Sequence, residues 1–225
     1  MKFAPIALAF AAGAACAITI AAVQDTKAKP STGNDKPVHF DPNDPNDPMM
    51  KAWAEAATPG PMHKWLAGDV GTWTGTCTQW MMPDSPPTTT ASTMVNTMIF
   101  GGRYLKQEFS GEMPGFGKFE GLSIVAYDNS AKKFQNAWID NMGTGMMTGT
   151  GDLSSDEKTL SWNFSFFCPM QQKQCAMREV FTHTGKDTAT MDMFAFDPAS
   201  AKEYKCMHID LKRSSAATTT AAAIK

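Results

Sequence analysis

Between residues 70 and 213 the chain repeats one pattern: a short run of alternating apolar and polar side chains, then a cluster of turn residues. Ten such runs can be marked, at roughly 70–81, 90–100, 103–111, 118–128, 133–140, 145–152, 158–167, 175–184, 187–196 and 203–213. A period of two puts successive side chains on opposite faces of a strand. The alternation is plainest at Leu160, Trp162, Phe164 and Phe166, with Ser161, Asn163 and Ser165 opposite. Met191/Met193 and Met207/Ile209/Leu211 repeat it. Gly101-Gly102, Asp128-Asn-Ser130, Asn141-Met-Gly143, Gly185-Lys-Asp187 and Asp197-Pro-Ala-Ser200 supply turn chemistry between the runs. No intervening segment is long enough for a crossover helix, so the connections are hairpins and the sheet is antiparallel. Closing a sheet with one apolar face covers that face and removes the edges. The expected fold is all-β: a closed antiparallel up-and-down barrel of about ten strands, wide enough to hold one small ligand.

A helical plug is expected at its start. Met49 to Ala57 are good helix formers, with Asp47 placed to cap them and Pro48 at the first helical position. Thr58-Pro-Gly-Pro61 ends that helix. A second one runs from Pro61 to Ala67 and stops at Gly68. It leads straight into the first strand at Gly71-Thr-Trp73.

The ends read differently. Residues 1–22 carry one Lys, no acid and a long run of small apolar residues, the pattern of a cleaved export signal. A membrane anchor is the rival, but the run is rich in Ala and Gly rather than Leu and Ile. Removing it takes the net charge from −2 to −3. That mild acidity gives no reason to expect a nucleic-acid partner. No later segment is apolar and long enough to span a bilayer, so the mature chain is expected to have no membrane span. Residues 23–48, with the repeated Asp-Pro-Asn unit, read as a disordered linker; residues 214–225 read as a flexible tail. The barrel domain is thus 49–213, in a protein destined for the periplasm or the outside of the cell.

Four cysteines remain after the signal: Cys77, Cys168, Cys175 and Cys206. An even number in an exported chain favours disulfides. Cys168 and Cys175 flank a hairpin loop, and Cys77 and Cys206 lie in the first and last strands, which closure makes neighbours. The expected pairs are Cys168–Cys175 and Cys77–Cys206; free thiols are the competing reading. No C-x-x-C or H-x-x-x-H spacing points to a metal.

Several short motifs occur in a telling order. They are Pro61-x-His63-x-x-Leu66, Gly71-x-Trp73, Gly101-Gly-Arg-Tyr-Leu105, Phe119-Glu-Gly-Leu122, Ala126-Tyr-Asp128, Trp138-Ile-Asp140, Thr144-Gly-Met146 and Met177-Arg-Glu179. Over residues 59–213 the chain resembles the bacterial domain of unknown function 1579 family. That resemblance implies a lipocalin-like barrel and no established activity. The stretch Leu66 to Trp73 is also similar to the opening of nitrobindin-like haem barrels. That shorter likeness implies a haem-ligating histidine near the C-terminus, a place only His208 fills. The apolar Met207/Ile209/Leu211 set argues against His208 facing inward, so no cofactor is expected.

The candidate ligand-binding residues are Trp73, Tyr104, Trp138, Met146, Arg178 and Met191. The aromatic residues would form walls. The thioethers would adapt to varied apolar shapes, and an inward arginine would fix a ligand carboxylate. Each has a plainer reading: core packing for the aromatics and methionines, an ion pair for Arg178. Soft thioethers also suit copper(I), but the methionines are strewn over many strands. His63 is placed to cap or pack the plug. No phosphate loop, nucleophile elbow or acid–base constellation is visible. The chain is therefore read as a non-enzymatic binding barrel for a small apolar or amphipathic ligand. A filled structural or interaction barrel and a haem protein are the alternatives.

Overall fold

The computed structural model describes Asp41, Asp44, 46–169 and 171–214. The export signal, most of the linker and nearly all of the tail expected from the sequence lie outside the described residues. Two helices come first: α1 (Pro48–Ala57) and α2 (Pro61–Ala67). Ten strands follow: β1 (Gly71–Gln79), β2 (Thr88–Ile99), β3 (Tyr104–Met113), β4 (Gly117–Asp128), β5 (Lys133–Asp140), β6 (Met147–Leu153), β7 (Thr159–Cys168), β8 (Lys173–Gly185), β9 (Thr188–Phe196) and β10 (Glu203–Arg213). Each strand pairs antiparallel with its sequence neighbours, and β1 pairs with β10 to close the barrel. The Asp47 carboxylate accepts from the Met49 and Met50 N–H groups at the start of α1, as its capping position predicts. The β2–β3 turn bends through positive φ at Phe100, Gly101 and Gly102. Two of those three positions need glycine's freedom, which explains Gly101-Gly102.

The period of two becomes an inside and an outside. Trp73, Met94, Leu105, Val125, Phe134, Trp162, Phe181, Ile209 and their strand-mates at i±2 point inward, and their odd neighbours point to solvent. α2 plugs one end. Leu66, 1 % exposed, packs with Leu105, Val125, Phe134, Leu160, Trp162 and Phe164. The Trp65 indole N–H donates to the Glu157 carbonyl in the β6–β7 turn. The His63 ring meets Tyr127 edge-on, and its Nδ1 accepts the Gly60 N–H at 3.0 Å. Burial first, and the Arg103 charge second, hold the His63 pKa below its ordinary value. His63 is thus a neutral cap and packing residue.

A polar clamp fixes the turn from α2 into β1. Arg213, at the end of β10, donates to the Gly68 carbonyl at 2.7 Å and to the Val70 carbonyl. Its guanidinium lies 4.2 Å above the Trp73 ring, a favourable cation–π geometry. Asp69 is buried and pairs with His183 on β8 at 2.7 Å. The Asp69 backbone carbonyl accepts from the Trp73 indole and the Asn96 amide. First and last strands are therefore locked to the plug as well as to each other.

The expected disulfides are not formed: Cys77, Cys168, Cys175 and Cys206 are all free thiols. Register explains the first pair. β1 and β10 are neighbours, but Cys77 faces Ile209, and Cys206 sits three residues away beside the bulge between Lys205 and Met207. Cys168 and Cys175 share a face diagonally, with Cys175 opposite Phe166 and Cys168 opposite Lys173, and their side chains are in hydrogen-bond contact without a bond between the sulfurs. Burial pushes the Cys206 thiol up to about 11 and raises that of Cys77. Neither forms thiolate readily.

Candidate functional site

The two ends of the barrel differ. At the plugged end the inward side chains are buried under α2. At the other, reached by the β1–β2, β3–β4, β5–β6, β7–β8 and β9–β10 connections, several inward side chains of the last two levels are only half-buried, although Cys77 and Cys168 are buried. Phe109, Trp138, Phe166, Met177, Met193 and Met207 line this cup. Its wall is aromatic on β3 to β5, where Trp138 stacks on Phe119 and meets Phe109 edge-on. It is thioether-rich on β8 to β10. Gly121 makes room for the Trp138 ring, since a Cβ there would stand 2.4 Å from the indole. The ring is anchored by its N–H, which donates to Asp140 at 2.8 Å.

Polar groups in the cup are few. The Gln79 amide donates to the Cys77 and Met207 sulfurs at 3.5 and 3.8 Å, and the Gln107 amide donates to the Met94 sulfur at 3.6 Å. Ser123 donates to the Asn136 carbonyl oxygen at 2.7 Å. Glu179 is buried among apolar neighbours. Around the cup, three of the loops carry exposed apolar side chains, Met81, Met82, Phe116, Met142 and Met146, and the ends of β7 and β9 carry exposed Phe167 and Phe196. Large apolar side chains left in water at three connections and two strand ends of one barrel end mark a surface built for contact.

The candidate residues named from sequence divide three ways. Trp138 lines the cup. Met146, 60 % exposed, stands on its rim just before β6. Trp73 and Met191 are core, packed with Met94, Phe181 and Leu211 near the plug, so neither lines the cup. Tyr104 and Arg178 correct the reading outright, because both lie on the outer face. Tyr104 pairs edge-on with Phe100 and borders a shallow outer groove with Ile124, Ala126 and Thr148. Arg178 makes a bidentate pair with Glu203, at 3.0 and 2.7 Å, and covers the Phe194 ring. The hydrogen bond to Arg178 holds the Glu203 carboxyl below its ordinary value. The arginine is therefore already satisfied.

His208 does not fit a haem. It lies outside the barrel, where Nδ1 meets Asp192 at 2.7 Å and Nε2 meets Asp210 at 3.3 Å. Both ring nitrogens are engaged. Although burial opposes it, hydrogen bonds from Lys205 and His208 keep Asp192 below its ordinary pKa. Among the described residues no three His, Cys, Asp or Glu side chains converge as a metal site. Glu179 and His183 went unnamed as site residues from the sequence. The signal was present for Glu179: a carboxylate in phase with Met177 and Phe181 on the inward face of its strand.

A second strand of evidence comes from known proteins. The family described as "Protein of unknown function (DUF1579)" matches residues 58–213. Comparison with curated proteins returns no match. Solved structures that share the barrel include two from different sources. One is Rv2717c from M. tuberculosis, with 13 % identity, a TM-score of 0.53, and coverage of 70 % of this chain and 99 % of that one. The other is the S-type phycobiliprotein lyase CpeS from Guillardia theta, with 8 % identity, a TM-score of 0.50, and coverage of 73 % and 97 %. At such identities the likeness is one of fold alone.

Proposed function

This chain belongs to the DUF1579 family, and because that membership assigns no activity, we propose a function from the barrel's unplugged end: an exported, non-enzymatic binding protein that takes a small apolar or amphipathic ligand into the cup. One observation carries the reading. The plugged end buries its inward side chains, whereas the cup leaves Phe109, Trp138, Phe166 and Met177 half-buried, beside loops that expose Met81, Met82, Phe116, Met142 and Met146. A folded chain gains by covering such surface, at about 25 cal/mol per Å² of apolar area removed from water. Flexible thioethers on one wall and flat rings on the other suit ligands of varied outline. The phycobiliprotein lyase offers fold-level analogy only. Export is supported by the signal-like residues 1–22.

The test is a fluorescence titration with the neutral apolar dye N-phenylnaphthylamine. Saturable binding of one dye per barrel, reversed by a long-chain alcohol, is the expected result. Non-saturable or absent binding removes the proposal. The second reading, a filled interaction barrel, is favoured by one feature: two shallow concavities lie on the outer face, one around Tyr104 and Ala137, the other around Thr76 and Thr190. Absent dye binding together with self-association or partner capture at those faces would support it.

A further inference from the structure

Glu179 is a carboxyl group without a partner in the wall of the cup. Its side chain is on the inward face of β8, between Trp162 on β7 and Met193 on β9. It is 9 % exposed, and among the described residues no hydrogen bond or ion pair reaches it. Burial alone lifts its pKa, to about 7. The inward neighbours on its own strand, Met177 and Phe181, and those across from it, Phe164 and Met191, carry no charge. The other inward charges stand at the two ends of the barrel: Asp140, held by Trp138, at the rim, and the Asp69–His183 pair with Arg213 at the plug. The nearby amides of Gln79 and Gln107 are turned to sulfur.

A carboxyl this nearly buried with no donor is expensive, and native interiors rarely keep one; unlike the fully buried, unpaired Ser92 Oγ and Asn96 Oδ1, its oxygens keep some contact with solvent. Packing does not require it either, since Gln or Met would fill the same volume. We propose that Glu179 is the head-group recognition residue of the cup, and that the ligand is an amphiphile whose polar end is a basic nitrogen, an amine or amidine. A cation at hydrogen-bond distance would make a charge-assisted contact in a site largely shielded from water. The apolar body would lie along Met177, Met193, Phe166 and Trp138 toward the rim. A ligand carboxylate would meet like charge, and an alcohol would gain one ordinary hydrogen bond. This inference rests on the reading of the cup as a binding site.

The experiment displaces N-phenylnaphthylamine with dodecylamine, dodecanol and dodecanoate, each below its micelle threshold, at about pH 8. In the wild-type protein the amine is expected to displace the dye at about a tenfold lower concentration than the alcohol, the difference between a charged and a neutral hydrogen bond. The carboxylate should be weakest. In Glu179→Gln the amine should lose its advantage over the alcohol, compared at whatever affinity the variant has for the dye. In the wild-type protein the advantage should also shrink from about pH 8 to about pH 5, as Glu179 takes up a proton. This second measurement needs no variant to fold. Equal displacement by amine and alcohol, or an amine advantage that survives in Glu179→Gln, overturns the assignment. Dye binding without an amine preference removes only the role of Glu179. Failure of the dye itself to bind removes the cup reading with it.

Discussion

Replacing Glu179 by Gln should stabilise the barrel, and only at neutral and alkaline pH. The ordinary carboxyl pKa of 4.5 is raised by burial to about 7 in the folded chain. Below about pH 4 the group is protonated in both states and contributes no difference. As pH rises through 4.5, the unfolded chain releases the proton and the folded chain keeps it, so folding weakens. Above about pH 7 both states are ionised, and the penalty is complete and constant. A tenfold change in an ionisation constant is worth about 1.4 kcal/mol, so the full penalty is about 3 kcal/mol. Gln has the same size and no charge. Urea unfolding of both proteins at several pH values isolates the term, because every other titrating group cancels in the difference. The two should match near pH 4, and the variant should lead by about 3 kcal/mol at pH 8.5. A difference that is flat across pH, or a variant that loses stability as pH rises, would refute the unpartnered carboxyl.

Other consequences follow from the packing. Leu66→Ala removes the centre of the plug and should lower unfolding stability by about 2–5 kcal/mol; a loss under about 1 kcal/mol would mean that α2 does not close that end. Arg213→Ala should lower the urea midpoint by the equivalent of about 2 kcal/mol, since it strips charged hydrogen bonds from two carbonyls at the plug. Arg178→Ala should change stability by less than about 1 kcal/mol, because its pair with Glu203 is about one-third exposed. It should leave dye affinity unchanged, since it faces outward. Alkylation and mass mapping of the non-reduced, unfolded protein should find Cys77 and Cys206 both modified; a peptide linking them would contradict the β1–β10 register.

The architecture was legible because the barrel is built on one repeated rule. Alternation at 160–166 and 207–211, with Gly or Asp turns between, sufficed to count the strands and to predict closure. The plug was legible from Pro48, Pro61 and Gly68. What the period of two does not give is depth along the barrel. Trp73, Met191 and Trp138 all alternate correctly, yet the first two sit under the plug and only the third reaches the cup. Nor does an isolated charge reveal its face. Arg178 and Glu179 are adjacent, so they must point opposite ways, and the satisfied one attracted notice. The Cys77–Cys206 pair shows a similar limit: the neighbouring strands were identified, but the register that sets Cys77 opposite Ile209 was not.

The account's central claim is that the unplugged end takes a ligand. Its most direct test is to fill that end and measure the dissociation constant for N-phenylnaphthylamine. Met193→Trp places a large ring on the inward wall beside Glu179, whereas Thr150→Trp places one in the outer groove. The account predicts that Met193→Trp weakens dye binding at least tenfold and that Thr150→Trp leaves it unchanged. Loss of binding in Thr150→Trp with retention in Met193→Trp would contradict it, and would put the ligand on the outside of the barrel.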